Sequence, residues 1–350
     1  MFAKKVEDLV VEPYQRQKES TMQAIVDGHL ASLSVGEGKV FGGMHLFPVP
    51  RSGESPLRYR VLLDALADGS VEVRERPSAS VPELWLVNRS ADMVFVMDGE
   101  EIVGGKQNRM VNASFLIAPQ SEVMLPVTCV EHGRWHDVAP RFTPGEAAPA
   151  FLRREKETQV RENLRVSHRH VADQSAVWDA IAHRQREERV QSPTGAMNDL
   201  YRGKEKSLGD YEQAFQVVED ALGMVVALNG RMVGADLFDQ ASTAGRLWTK
   251  LVRSYAMDAV AGAQDRPVDR ERAEKLLKRV VDARSEAYPS IGLGHDVRLE
   301  GTGATASGLI YEGIVVHLAV FRVHGQRSAG DTTGIARASL RRRMQRGPIY

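Results

Sequence analysis

Cysteine is nearly missing from this chain of 350 residues: Cys129 stands alone. No disulfide can therefore form within the chain, and a reducing, cytoplasmic setting is expected. Long apolar runs are missing too. None approaches the roughly 18 residues a membrane-spanning helix needs, so no membrane role is expected. Residues 1–20, MFAKKVEDLVVEPYQRQKES, lack the apolar stretch of a secretory leader. Charge of one sign does not dominate either, since 46 Lys and Arg balance 46 Asp and Glu. Bulk attraction to nucleic acid is not favoured. There is no Walker-type lysine motif, and Gly292-Leu293-Gly294 lacks the strand-turn-helix context of a dinucleotide fingerprint.

What is present is enough apolar content, 43% of residues, for a large core in two domains or one duplicated one. The densest mix of apolar alternation, turn glycines and reactive polar groups lies in residues 93–136, MVFVMDGEEIVGGKQNRMVNASFLIAPQSEVMLPVTCVEHGRWH. Residues 93–97 read as a buried strand and Asp98-Gly99 as a tight hairpin turn. Gly104-Gly105 lets the chain bend or lie close to a ligand. Residues 111–117 and 123–127 read as further strands. Polar side chains clustered beyond strand ends are where loops on a rigid sheet carry chemistry.

The candidate catalytic groups are Glu101, Lys106 and Glu131. Glu101 would be a general acid or base, near a lysine that binds phosphate or lowers the carboxylate pKa. The competing reading is a hairpin with solvated charges, Glu100 among them. Gln107, Asn108 and Arg109 can bind a nucleotide, the amides on base or ribose edges and the guanidinium on phosphate. Equally, they can bridge strands and loops internally. Arg134 and Trp135 can stack on a base, or Trp135 can plug the core. Cys129 beside Glu131 and His132 can be an activated thiol or a buried one. Cys129, His132 and His136 have zinc-like spacing, but only three candidates exist and Gly133 breaks any helix aligning them. No metal is assigned, and the cofactor is left unknown.

Along the rest of the chain, residues 24–35 and 40–49 read as strands and residues 57–67 as a helix. Residues 71–73 and 81–87 are further strands. Pro140, Pro144 and Pro149 mark a connection. Residues 150–190 read as one long helix or two, with Leu164, Val171, Val177, Trp178 and Ile181 buried and His168, His170 and His183 solvated. Residues 196–209 look like a loop, and Asp210 like the N-cap of a helix over 211–222. MVVALNGRMVG (224–234) echoes MVFVMDGEEIVG, the latter with an extra residue that signals a bulge. A third hairpin, GLIYEGIVVHLAVF, covers 308–321. Residues 241–261 and 268–288 read as amphipathic helices. The segment after Gly325 is Arg-rich and expected to be flexible.

At MDGEEIVGGKQNRMVNASFLIAPQSEVMLPVTCVEHGRW the chain resembles the ARPP-1 family, the ARG and rhodanese-phosphatase-superfamily-associated protein domain. SPTGAMNDLY, GMVVALNGRMVGADLF and LWTKLVRSYAMDA extend the likeness across most of residues 20–322. GEEIVGGKQNR and CVEHGRW are its specific segments. The resemblance implies association with ADP-ribosylglycohydrolases and with NAD and ADP-ribose metabolism in prokaryotes. It brings no established reaction.

The expected fold is α+β: hairpin-rich antiparallel sheets in two related halves, covered by long helices. The parts are an N-terminal arm (1–20), a β-rich half with the site (21–149), a helical segment (150–222), a second α+β half (223–325) and a basic tail (326–350). The expected function is binding, sensing or hydrolysing a nucleotide-type ligand related to NAD or ADP-ribose. The alternative is a non-catalytic scaffold or interaction subunit that self-assembles. A homo-oligomer is the expected assembly.

Overall fold

The computed structural model of the chain describes residues 2–51, 53–75, 82–134, 141–260 and 264–323. These form eight helices and 17 strands in three sheets, an α+β fold as expected. The chain opens with α1 (Phe2–Ser32), β1 (Lys39–Phe41), β2 (Met44–Pro50), β3 (Tyr59–Val61), α2 (Leu62–Ala67), β4 (Val71–Arg74) and β5 (Glu83–Asn88). The central stretch supplies β6 (Met93–Val96), β7 (Glu100–Val103), β8 (Arg109–Val111), β9 (Phe115–Ile117) and β10 (Ser121–Cys129). Then come β11 (Thr143–Ala147), α3 (Ala150–Ser167), α4 (Gln174–Glu187), α5 (Asn198–Gly203) and α6 (Glu205–Ala214). The last third holds β12 (Ala221–Leu228), β13 (Arg231–Phe238), α7 (Ala241–Ala259), α8 (Arg270–Lys278), β14 (Arg284–Pro289), β15 (His295–Gly301), β16 (Ala304–Tyr311) and β17 (Ile314–Arg322).

The large sheet has the order β1-β2-β12-β13-β17-β16-β15-β14 and is antiparallel throughout. β12 and the greater part of β17 are apolar on both faces. Met224, Val226 and Leu228 join one core with α7, while Val225 and Ala227 join another with α1 and α8. Burial on both sides explains why these strands read as apolar runs rather than as alternation. A six-stranded sheet, β11-β7-β8-β10-β5-β4, and a three-stranded one, β3-β6-β9, enclose a separate core.

Several local expectations change. Residues 24–35 are helical to Ser32, because Val26 and Leu30, four apart, bury against the large sheet. Residues 196–209 are not a loop. They hold α5 and the first half of α6, helices whose Leu200, Tyr201, Leu208 and Tyr211 enter the core despite nearby glycines. Asp210 therefore lies within α6 rather than capping a helix over 211–222. Residues 57–67 begin as β3, and only 270–278 of residues 268–288 are helical. The proline-marked connection contains the strand β11.

Asp98-Gly99 is not a hairpin turn. β6 pairs with β3 and β9, whereas β7 pairs with β8 and β11, so the chain changes sheets at this corner. Residues 111–117 change sheets back, which splits the expected strand into β8 and β9. Asn229-Gly230, by contrast, closes a true two-residue hairpin with φ of 50° and 80°. The bulge lies here, with Val226 opposite Gly234 and Ala227 opposite Met232.

Residues 150–190 form two helices, α3 and α4, separated at left-handed His168. α3 inverts the usual amphipathic logic. Arg153, Lys156, Glu157, Val160, Arg161 and Leu164 recur at helical spacing and are all buried. Opposite them the sheet turns polar side chains toward α3: Asp236, His317, Asp296, Arg298 and Thr305. Their strand neighbours Leu237, Leu318, Val297, Leu299 and Ala306 face the other core. Arg153 grips both oxygens of Asp236, and Arg298 holds Asp296 at 2.6 Å. His170, expected in solvent, is buried and bonded to Asp296 at 2.9 Å. Exposed His183 fits its expected place.

Lys156 has no exposure. It pairs with Asp98 and donates to the carbonyls of Val111 and Asn112, each at 3.2 Å. It thus ties down both sheet-crossing corners. Lys156→Met should cost about 3–5 kcal/mol in urea unfolding, because it leaves Asp98 and two buried carbonyls without their donor. Adding Asp98→Asn should recover much of that loss. A single variant within about 1 kcal/mol of the parent would show that the pair does not hold the corner.

Candidate functional site

Two loops build the site. The first, residues 104–108, joins β7 to β8. Gly104 and Gly105 turn it with φ of 146° and 53°. A Cβ on Gly105 would meet the Phe142 ring at 2.6 Å and Glu75 Oε1 at 2.9 Å, so only glycine fits. The second loop, residues 130–134, follows β10. Asn108 stitches the two together: its N–H donates to Glu131 Oε2 at 3.2 Å, and its carbonyl accepts from Val130 N–H at 3.0 Å. Gln107 Nε2 donates to the Glu131 carbonyl at 2.7 Å. A third segment joins them, where Thr194 Oγ1 donates to Glu131 Oε1 at 2.8 Å and Gly133 N–H donates to the Thr194 carbonyl at 2.7 Å.

Arg134 lies at the centre. Its Nε and Nη2 reach Glu131 Oε2 at 2.8 and 2.6 Å, Nη2 reaches Asn108 Oδ1 at 2.9 Å, and Nη1 reaches the Gly105 carbonyl at 2.5 Å. The Asn108 side chain then hands on to Glu101, with Nδ2 donating to Oε1 at 3.3 Å. Glu101, Asn108, Glu131 and Arg134 therefore form one continuous buried cluster.

Glu100 and Glu101 are neighbours on a strand, so their side chains leave on opposite faces. Glu100 pairs with Lys250 of α7 at 2.7 Å. Glu101 points the other way and has no solvent exposure. Over it lies β11, an edge strand with a register break: Pro144 opposes Ile102 and Ala147 opposes Glu100, leaving Gly145 and Glu146 opposite Glu101. A Cβ on Gly145 would come within 2.5 Å of Glu101 Oε2. The Glu146 N–H approaches the same oxygen at 3.4 Å.

The two carboxyls diverge electrostatically. Burial, together with the nearby Glu146 and Glu131 charges, pushes Glu101 from 4.5 up to about 8. Burial also pushes Glu131 up, but hydrogen bonds from Arg134, Thr194 and the Asn108 backbone outweigh it, and the net shift is downward. At neutral pH Glu101 is therefore mainly a neutral acid and Glu131 an anion.

The remaining expected residues divide. Arg109 is drawn into the loop, donating to the Gln107 carbonyl at 2.8 Å and pairing with Glu75 at 3.3 Å. Lys106 is exposed at the rim, its backbone N–H bonded to Glu75 Oε1 at 3.1 Å. Trp135 and His136 lie outside the described residues. Cys129 is buried, its backbone bracketed by the Gln174 amide, and burial pushes its thiol up, which disfavours an activated nucleophile. The His132 ring packs edge-on against Trp178 at 4.4 Å. Among the described residues no group of three or more His, Cys, Asp or Glu is arranged to hold a metal ion.

Glu75, Glu146 and Thr194 belong to the cluster and are missing from the sequence-derived candidates. Only Thr194 left a signal, as part of SPTGAMNDLY.

Residues 32–321 match the model of ARPP-1, the ARG and Rhodanese-Phosphatase-superfamily-associated Protein domain. The chain belongs to the ARPP-1 family. No curated protein and no solved structure matches it. The ARPP-1 match spans the three segments that converge on Glu131, and the four large-sheet hairpins β12–β13, β14–β15, β15–β16 and β16–β17.

Glu101 gives a pH test. Its folded pKa lies above its unfolded value, so its contribution to stability is fully present below about 4.5 and is lost as pH rises toward 8. Parent stability should fall relative to Glu101→Gln across that window, by up to roughly 1.4 kcal/mol per pH unit. Denaturant midpoints at several pH values measure it, and parallel curves would refute a raised Glu101.

Proposed function

We propose that this ARPP-1 chain is a cytoplasmic protein that binds a nucleotide-type ligand, related to NAD or ADP-ribose, and acts on it hydrolytically. One observation carries the reading: two buried carboxyls, shifted in opposite directions, are linked through one asparagine. Environments that drive a carboxyl pair apart are how acid and base roles are assigned at one pH. Glu101 is the acid–base group, giving a proton to a leaving oxygen or taking one from water. Glu131, fully bonded, fixes Asn108 and Arg134. Lys106 meets phosphate at the rim, with Gln107 and Arg109 holding the loop.

Because Glu101 is enclosed, the ligand must displace part of its cover. The bulged edge strand β11 is the element suited to that, since bulges end pairing and recur beside active sites. The ADP-ribose class of ligand rests on the association with ADP-ribosylglycohydrolases that the resemblance to ARPP-1 implies.

A second reading is a non-catalytic, self-assembling scaffold or interaction subunit. The observation favouring it is that Gln107, Glu131 and Arg134 already bond to other groups of the protein. It requires an oligomer by light scattering and function indifferent to Lys106→Ala.

Thermal shift with NAD, ADP-ribose and mononucleotides tests the first reading. At least one should raise the unfolding midpoint. Glu101→Gln should keep that shift while slowing hydrolysis about 10²–10⁴-fold, and Lys106→Ala should weaken binding. No stabilisation at millimolar ligand would contradict the proposal.

A further inference from the structure

The opposite side of the molecule holds a second polar feature that shares no residue with the Glu101 cluster. A groove of ≈ 280 Å³ lies between α8 and the ends of β13 and β17. Its polar lining is Arg231, Arg272, Lys275, Arg279 and Arg322, with no carboxylate among the lining residues. Met232 and Leu276, both buried, complete it.

The sequence puts these charges together by simple periodicities. α8 buries Ala273, Leu276 and Leu277 against the sheet, so Arg272, Lys275 and Arg279, spaced by three and four, share a flank. Strand pairing of β13 with β17 sets Arg231 and Arg322 near one another across from it. The turn between β15 and β16 fixes the two innermost guanidiniums. Arg279 Nη1 donates to the Thr302 carbonyl at 2.6 Å, and Arg322 Nη1 donates to the Gly303 carbonyl. Gly303 has φ of 69°, and a Cβ on it would lie 2.2 Å from Arg322 Nη1 and 3.4 Å from Arg279 Nη1. Both cations thus converge on one point, and only glycine leaves room for them. Burial, then the Arg279 charge, lowers the Arg322 pKa, as expected for like charges held together. On α8, exposed Glu271 pairs with Lys275 at 2.7 Å.

We propose that this groove binds a phosphate-type dianion or polyanion of about diphosphate size. Guanidinium forks match phosphate oxygens in pairs, and an apolar wall strengthens the field of a single-sign cleft. The volume falls below the range usual for whole drug-sized ligands, so the recognised part is the phosphate group itself. The lining has no aromatic side chain on which a base could stack.

Isothermal titration with inorganic pyrophosphate tests this directly. Saturable binding that weakens with added salt is expected. Arg279→Gln with Arg322→Gln should weaken it by about tenfold or more. The exposed pair Arg272→Gln with Lys275→Gln should weaken it without lowering the unfolding midpoint. Glu101→Gln should leave it unchanged, which separates this site from the one proposed above. ADP should compete and adenosine should not. The inference is overturned by absent binding at low salt, by affinity unchanged in both double variants, or by binding of a single-stranded oligonucleotide alone.

Discussion

The fold turns on a helix that points its charges inward. α3 buries Arg153, Lys156, Glu157 and Arg161 between itself and a sheet face that is polar in turn. Buried charges are tolerated only when paired, so this surface can close in one register only. Arg153 must find Asp236, which also accepts from Tyr255 at 2.8 Å. Lys156 must find Asp98 and the carbonyls of residues 111 and 112. Gly99 makes the approach possible: a Cβ there would meet the Arg153 side chain at 2.8 Å. The two places where the chain passes between small sheets are thereby fastened to a single lysine nitrogen.

The site inherits its geometry from that fastening. Once the Asp98 corner is fixed, strand alternation decides the next side chains: Glu100 goes to Lys250, and Glu101 goes under the β11 bulge. The loops carrying Asn108 and Arg134 then close around it. Among the described residues, Glu101 receives two long hydrogen bonds from neutral donors, too little to stabilise a charge away from water. Glu131, a short way off, receives a guanidinium, a hydroxyl and a backbone amide, and stays ionised. The contrast between the two carboxyls follows from what each is given to bond.

Much of this was legible beforehand. The apolar runs of β12, β16 and β17, the glycine turns between them and the amphipathic α7 declare themselves through local chemistry. Glu101, Asn108, Glu131 and Arg134, all from the stretch 93–136, do come together. α3 was illegible, since a charged stripe at helical spacing reads as a solvated face unless a complementary polar sheet face is known to lie opposite. The Asp98-Gly99 corner was illegible for a related reason: turn residues reveal a change of direction but not which strand lies beyond it. Glu146 hid in a proline-marked connection, because the pairing that makes β11 a strand belongs to β7. Gly292 belongs to a glycine stretch that lacks the context of a dinucleotide fingerprint. A Cβ there would lie 2.2 Å from the Leu116 carbonyl, where Leu293 bridges the sheets, so its smallness serves packing.

The most direct measurement is the protonation of Glu101 itself. Carboxyl carbon NMR of a chain labelled at glutamate, with Glu101 assigned through Glu101→Gln, follows one group across the pH range. A midpoint near about 8 is expected. A midpoint at the ordinary glutamate value of 4.5 would mean the cluster solvates the charge, and the acid–base reading would be wrong.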